Sequence, residues 1–125
     1  MIAFTMIGTN DLAKAAAFYD ALIAEMGGKR AVDLGDAIIY AGADGGALFA
    51  ITEPADGNPA TVGNGTMVAL AAPDAESVKR WHAKALELGA ENGGDAGERT
   101  RGPLTFDAAY FRDLDGNKLN FFKLH

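Results

Sequence analysis

The 125-residue sequence contains no cysteine, which excludes disulfide staples, thiolate metal ligands and a thiol nucleophile supplied by this chain. Cations are in deficit: 11 Lys and Arg stand against 17 Asp and Glu, for a net charge of −6. Nucleic-acid phosphate and anionic membrane surfaces both draw on clustered Lys and Arg, so neither is an expected partner. No apolar run approaches the roughly 20 residues of a bilayer span. The opening Met1-Ile2-Ala3-Phe4-Thr5-Met6-Ile7 reads as a strand without the basic flank or cleavage site of a secretory signal. A cytoplasmic location is the expectation.

What is present is enough apolar material, 49% of the chain, for one sizeable core. It is arranged as an internal repeat. At an offset of 63 residues, Thr5-Met6-Ile7 lies over Val68-Ala69-Leu70, Asp11 over Asp74, Phe18 over Trp81 and Ile23 over Leu86. Each half opens with a strand, an acidic cap and an amphipathic helix. Leu12, Ala15, Ala16, Tyr19, Leu22, Ile23 and Met26 mark the buried stripe of the first helix, with Asn10 or Asp11 as cap and Gly27-Gly28 as stop. The second begins after Pro73, with Asp74 as cap, turns Ala75, Val78, Trp81, Ala85 and Leu88 inward and ends at Gly89.

Three short strands follow the first helix, at about 30–34, 37–40 and 47–52, punctuated by Gly35-Asp36 and by Gly42 to Gly46, the composition of positive-φ turns. The second half is expected to have strands at about 91–92, 108–112 and 118–123, with 93–103 a charged loop. The Pro-, Gly- and Asn-rich stretch from Glu53 to Asn64 reads as a link. The expected organisation is one domain, with a first module at about 1–55, a linker at about 56–64 and a second module at about 65–125.

Ile7-Gly8-Thr9-Asn10-Asp11-Leu12 followed by Phe18-Tyr19, and Tyr110-Phe111-Arg112-Asp113-Leu114-Asp115-Gly116-Asn117 near the far end, resemble the glyoxalase, bleomycin-resistance and extradiol-dioxygenase superfamily, the vicinal oxygen chelate fold. The family's usual form has Pro where this chain has Leu114. The resemblance implies an α+β fold, in which two βαβββ modules form a partly closed, barrel-like cup with the helices outside. Read by itself, Asp113 to Asn117 is a tight turn whose Asp and Asn bond local backbone.

In that superfamily His, Glu or Gln side chains from the first and last strands of each half hold a metal. The matching positions here are Phe4, Ala50, Met67 and Asn120. A phenyl ring and a methyl group ligate nothing, a thioether favours soft copper(I), and a lone amide oxygen is a poor anchor for zinc, iron or manganese. No metal and no cofactor is therefore expected. The two histidines offer no substitute: His82, beside Trp81, is expected exposed or half-buried, and His125 frayed.

Strand alternation places Met6 and Gly8 with Phe4, Leu48 and Thr52 with Ala50, Ala69 with Met67, and Lys118 and Phe122 with Asn120. The expected ligand pocket is Phe4, Met6, Ala50, Met67, Ala69, Tyr110, Asn120 and Phe122, largely apolar, with Asn120 and Thr52 as polar groups. Tyr110 is the weak catalytic candidate, because its Tyr-Phe-x-Asp-x-Asp-Gly setting resembles that of fosfomycin-resistance thiol transferases, where the matching tyrosine faces the active site. Its plain alternative is a strand tyrosine at a rim. Arg112, on the same face, is placed to meet an anion or to form a surface salt bridge.

Three functions compete. The first is metal-independent binding or sequestration of a small, partly apolar molecule by a homodimer, as in the bleomycin-binding members. The second is a lyase, isomerase or dioxygenase whose metal or acid-base site is not recognisable, for instance Tyr110 with Asp107. The third is a partner protein that kept the fold and lost the site, its interior packed shut by Phe4, Met6, Met67 and Phe122.

Overall fold

The 63-residue repeat of the sequence is a repeat of structure. The computed structural model describes all residues, 1–125, and the chain divides into two compact units, Met1–Gly63 and Asn64–His125. The first runs β1 (Phe4–Gly8), α1 (Leu12–Glu25), β2 (Lys29–Asp33), β3 (Ala37–Ala41) and β4 (Leu48–Thr52). The second runs β5 (Val68–Ala71), α2 (Ala75–Glu87), β6 (Glu91–Arg101), β7 (Leu104–Arg112) and β8 (Lys118–Leu124). Their sheets have the same order, β1-β4-β3-β2 and β5-β8-β7-β6. In each, the first strand pairs parallel with the last, and the other pairs are antiparallel. The chain is thus α+β, built of two βαβββ modules. No helix is long and apolar enough to cross a membrane.

Both helices start where a carboxylate closes the first turn. Asp11 accepts from the Lys14 amide at 3.0 Å and Asp74 from the Ser77 amide at 2.7 Å, satisfying amides that have no partner within the helix. Gly27 at φ +82° ends α1 as expected. Gly28 is needed for a different reason: a Cβ there would sit 2.7 Å from the Ile23 Cγ2.

In the first unit Tyr19 and Leu22 of α1 pack on Tyr40, Phe49 and Ile51, all of them buried. The Tyr19 and Phe49 rings lie 5.0 Å apart. Fully burying such side chains stabilises by about 1.5–3 kcal/mol each. The Tyr40 hydroxyl reaches the edge of this core and donates to Asp20 at 2.9 Å, while Arg30 forms a two-pronged pair with the same carboxylate at 2.7 and 2.8 Å. Hydrogen bonding from Arg30 outweighs partial burial and holds the Asp20 carboxyl below the usual carboxylate range; burial, with the Asp20 charge beside it, pushes the Tyr40 phenol up.

In the second unit Phe111 stacks on Phe121 at 5.1 Å, and Trp81 of α2 meets Phe121 edge-on at 5.8 Å. Two expectations fail on α2. Ala75 is exposed, and His82 is buried at 5% exposure. The imidazole is tolerated there because its Nε2 donates to the Tyr110 carbonyl at 3.1 Å, so burial leaves no orphaned polar atom on that nitrogen.

The largest correction concerns 93–103. It is not a loop but most of β6, an eleven-residue strand paired with β7 from Glu91↔Arg112 to Arg101↔Leu104. Its glycines and charges hide the apolar alternation of a strand, and the register shifts between Asn92 and Gly94 and again between Gly94 and Gly97. Such bulges leave residues unpaired and break the period-two pattern. By contrast, Asp113 to Asn117 is the expected tight turn. The Asp113 Oδ1 accepts the amides of Asp115 and Asn117 at 3.0 and 2.9 Å, and Gly116 takes φ +86°.

Two measurements check this description. Replacing Phe121 with Ala removes the ring on which both Trp81 and Phe111 pack, and urea unfolding is expected to show a loss of about 3–5 kcal/mol. The Asp20 shift gives a pH test: a carboxyl with a depressed folded pKa stabilises above its unfolded pKa of about 3.9, and that contribution is lost as pH falls through the folded value. Asp20→Asn is therefore expected to flatten the acid limb of the urea midpoint relative to wild type.

Candidate ligand-binding faces

One helix covers one face of each sheet, so strand parity decides which side chains remain on the open face. In the first unit Phe49 and Ile51 lie under α1, and the opposite face carries Leu48, Ala50 and Thr52. Parallel register brings Phe4, Met6 and Gly8 beside these three in turn. Phe4 is 54% and Met6 46% exposed, while Ala50 is fully buried between its neighbours. The Thr52 hydroxyl is not a free polar group, as was expected; it donates to the Glu53 carbonyl at 2.8 Å.

In the second unit Phe111, Leu119 and Phe121 face α2 with no exposed surface. The open face carries Phe106, Ala108, Tyr110 and Arg112 of β7, with Asn120 opposite Tyr110, Phe122 opposite Ala108 and Ala69 beside Asn120. Phe106 and Phe122 form an aromatic pair at 5.0 Å. Met67 lies just before β5 rather than in it, and is 42% exposed. The expected site residues thus fall into two groups: Phe4, Met6 and Ala50 on one sheet, and Ala69, Tyr110, Asn120 and Phe122 on the other, with Met67 just outside the second sheet. The exposure of Phe4, Met6 and Met67 counts against an interior packed shut by these side chains.

Asn120 is the most informative member. It is 1% exposed, yet its Oδ1 has no hydrogen-bond partner. The other such atom, Trp81 Nε1, lies in the layer between α2 and its sheet. Leaving a buried acceptor unpaired costs about 1–3 kcal/mol.

Sequence reasoning missed Arg99. It sits on β6 opposite Phe106, on the open face, with its guanidinium 5.1 Å from the centre of the Tyr110 ring. Lys118 approaches the same ring at 5.7 Å. The alternation Arg99, Arg101 within Glu98-Arg99-Thr100-Arg101 was a readable strand signal, lost by taking this stretch for a loop.

Asp107 does not join Tyr110. Three residues apart on an unbroken strand, the two point to opposite faces, and Asp107 instead holds the His125 Nε2 at 2.5 Å. His125 is accordingly tied down rather than frayed, its amide donating to the Thr105 carbonyl at 3.0 Å.

A divalent metal does not fit the residues that the resemblance matches to the superfamily's metal positions. Phe4 and Ala50 have no donor atom, Met67 offers a thioether and Asn120 one amide oxygen. No group of three or more His, Asp or Glu side chains is arranged to hold an ion. A shallow groove of about 580 Å³ lies elsewhere, at the start of α1, lined among others by Asn10, Asp11, Arg30 and Glu53. None of the expected site residues lines it.

The unpaired Asn120 amide makes a direct test possible. Asn120→Leu keeps the volume and removes the orphaned polar group. It is expected to raise unliganded stability by about 1 kcal/mol in urea unfolding; a clear loss would mean that the amide is satisfied.

Comparisons with known proteins agree with this architecture. The sequence profile of the Glyoxalase/Bleomycin resistance protein/Dioxygenase superfamily matches residues 1–121. Among solved structures, a glyoxalase/bleomycin resistance protein from Albidiferax ferrireducens is 33% identical, with 98% of each chain covered and a TM-score of 0.89. A hypothetical protein from S. aureus is 25% identical over 98% of this chain and 91% of its own, with a TM-score of 0.74. The fosfomycin resistance protein FosX from Listeria monocytogenes, as a mutant in complex with manganese(II) and 1S,2S-dihydroxypropylphosphonic acid, is alike in fold, at 19% identity and a TM-score of 0.70 over 97% of this chain and 87% of its own. No curated protein matches the chain.

Proposed function

Because the chain belongs to the Glyoxalase/Bleomycin resistance protein/Dioxygenase superfamily, and its residues do not fit that family's metal, we propose that it binds or sequesters a small, partly apolar molecule without a metal, on the open sheet faces. The observation that carries this reading is Asn120: a buried amide with an unpaired oxygen, beside Tyr110 and near the Phe106 and Phe122 pair. Small-molecule sites combine apolar lining with a few convergent polar groups, and a ligand hydroxyl or amine offers the donor that the amide lacks. The ligand-binding residues of this reading are Phe4, Met6 and Ala50 on the first sheet, with Met67, Ala69, Tyr110, Asn120 and Phe122 on the second unit.

The enzymatic reading has less support. General acid-base catalysis needs groups within hydrogen-bond reach of one substrate, and Asp107, the carboxylate weighed as a partner for Tyr110, points to the opposite face. Ring contacts from two cations and a buried amide opposite suit binding and orientation. A cytoplasmic homodimer completes the proposal. A second copy would cover some of the apolar side chains left exposed on the first unit, Val32 and Leu34 among them.

Metal analysis of protein purified without added metal is expected to find well under one equivalent of iron, zinc, nickel or manganese. One tightly bound equivalent overturns the reading. In a thermal-shift screen of small organic compounds, a stabilising compound is expected to lose its effect in Phe4→Ala or Tyr110→Phe.

A further inference from the structure

We propose that the open face of the second unit's sheet recognises a small aromatic acid, its anionic group set between Arg99 and Lys118 beside Tyr110 and its apolar body against Phe122 and Phe106. This deepens the binding function and rests on it.

The chain as a whole is acidic, at −6, yet this face concentrates cations. Arg99, Arg112 and Lys118 all belong to it by register, and none is paired with a carboxylate. Arg99 is half-buried, and its guanidinium is held only by main-chain oxygens: Gly97 at 3.0 Å, Asp95 at 2.7 Å, and Ala108. Carbonyl dipoles fix its position without cancelling its charge. Arg112 is turned toward the Gly116 carbonyl at 3.0 Å, which leaves Arg99 and Lys118 as the two cations at the Tyr110 ring. The nearby acids do not pair with them: Asp95 accepts from the Asn92 amide, Glu91 lies at the end of the face opposite Arg112 without an ion pair to Arg99 or Lys118, and Asp107 faces the other way toward His125.

Net charge does not decide the matter, because at physiological salt the Debye length is about 8 Å and distant charges are screened. Two unpaired cations, Arg99 held by main-chain oxygens and Lys118 over the same ring, outweigh remote carboxylates at contact range. A cation–ring contact at an exposed site is worth about 0.5–1 kcal/mol, which explains why the cations rest on Tyr110 but not why both are left without counter-ions. The unpaired Asn120 oxygen, opposite Tyr110, adds a second requirement: the ligand carries a hydrogen-bond donor near its anionic group.

3-Hydroxybenzoate has these three features, an aromatic ring, a carboxylate and a hydroxyl too far from the carboxylate to bond it internally. 3-Hydroxybenzamide keeps the ring and hydroxyl but loses the charge. Titration at low salt, followed by amide NMR of the full chain, is expected to show 3-hydroxybenzoate perturbing Tyr110, Asn120 and Lys118. It should bind roughly tenfold or more tightly than 3-hydroxybenzamide, as a charge-assisted contact implies. Arg99→Gln and Lys118→Gln are each expected to shrink that preference severalfold. Lys118 is exposed and makes no ion pair, so its variant remains informative if loss of Arg99 disturbs β6. Equal affinity for the two compounds, or an unchanged preference in Lys118→Gln, overturns the anion assignment while leaving binding at this face intact. Perturbation only at other residues also overturns it. Absence of binding by both compounds counts against the anion assignment and against the face as a binding surface.

Discussion

A single helix can shield only one side of a four-stranded sheet, and most of what distinguishes this protein follows from that constraint. In each unit the helix lies across one face, so alternate residues of every strand become core. The other residues stay on a face with no helix over it. Phe49 and Ile51 under α1, or Phe111 and Phe121 under α2, could be exchanged for other apolar side chains of similar volume with modest effect. Leu48, Ala50, Tyr110 and Asn120 lie on the opposite face, where no helix packs against them. One residue of register slip would exchange the two sets.

That constraint made much of the fold legible in the sequence. The offset of 63 residues pairs the two caps, Asp11 and Asp74, and a glycine stands just past the end of each helix, because caps and stops are local devices whose chemistry shows in single residues. The parity of the open face was legible where strands are short and regular: Phe4 with Met6, and Asn120 with Phe122. It failed on β6, where bulges at Asn92 to Gly97 break the alternation and glycines take the place of side chains. Arg99 was lost with it. His82 was misjudged for another reason: its burial is made possible by the carbonyl of Tyr110, 28 residues away, and no local pattern announces such a partner. Asp107 is three residues from Tyr110, a nearness in sequence that a strand does not convert into proximity of side chains.

Metal-using members of the superfamily hold a divalent ion with hard donors, and this chain keeps the scaffold with phenyl, methyl, thioether and amide at the positions that the resemblance matches to them. A scaffold shared this widely does not fix function; the site does. The open face of the second sheet has features that pure packing would not favour: an orphaned amide oxygen, a half-buried tyrosine between two cations, and an arginine held by carbonyls alone. The orphaned oxygen costs stability in the unliganded protein, and the two cations keep charge that no carboxylate offsets. Together they are what supports the proposal that this surface takes a ligand.

The central claim is that these faces bind organic molecules and do not seat a divalent metal, and paramagnetic NMR tests it at the positions in question. The methyl groups of Met6, which pairs with Ala50, and of Met67 report on each sheet separately. On addition of one equivalent of manganese(II), both signals are expected to remain sharp and to broaden only together with the rest of the spectrum. Selective loss of either methyl signal at one equivalent would place a metal where this account has none.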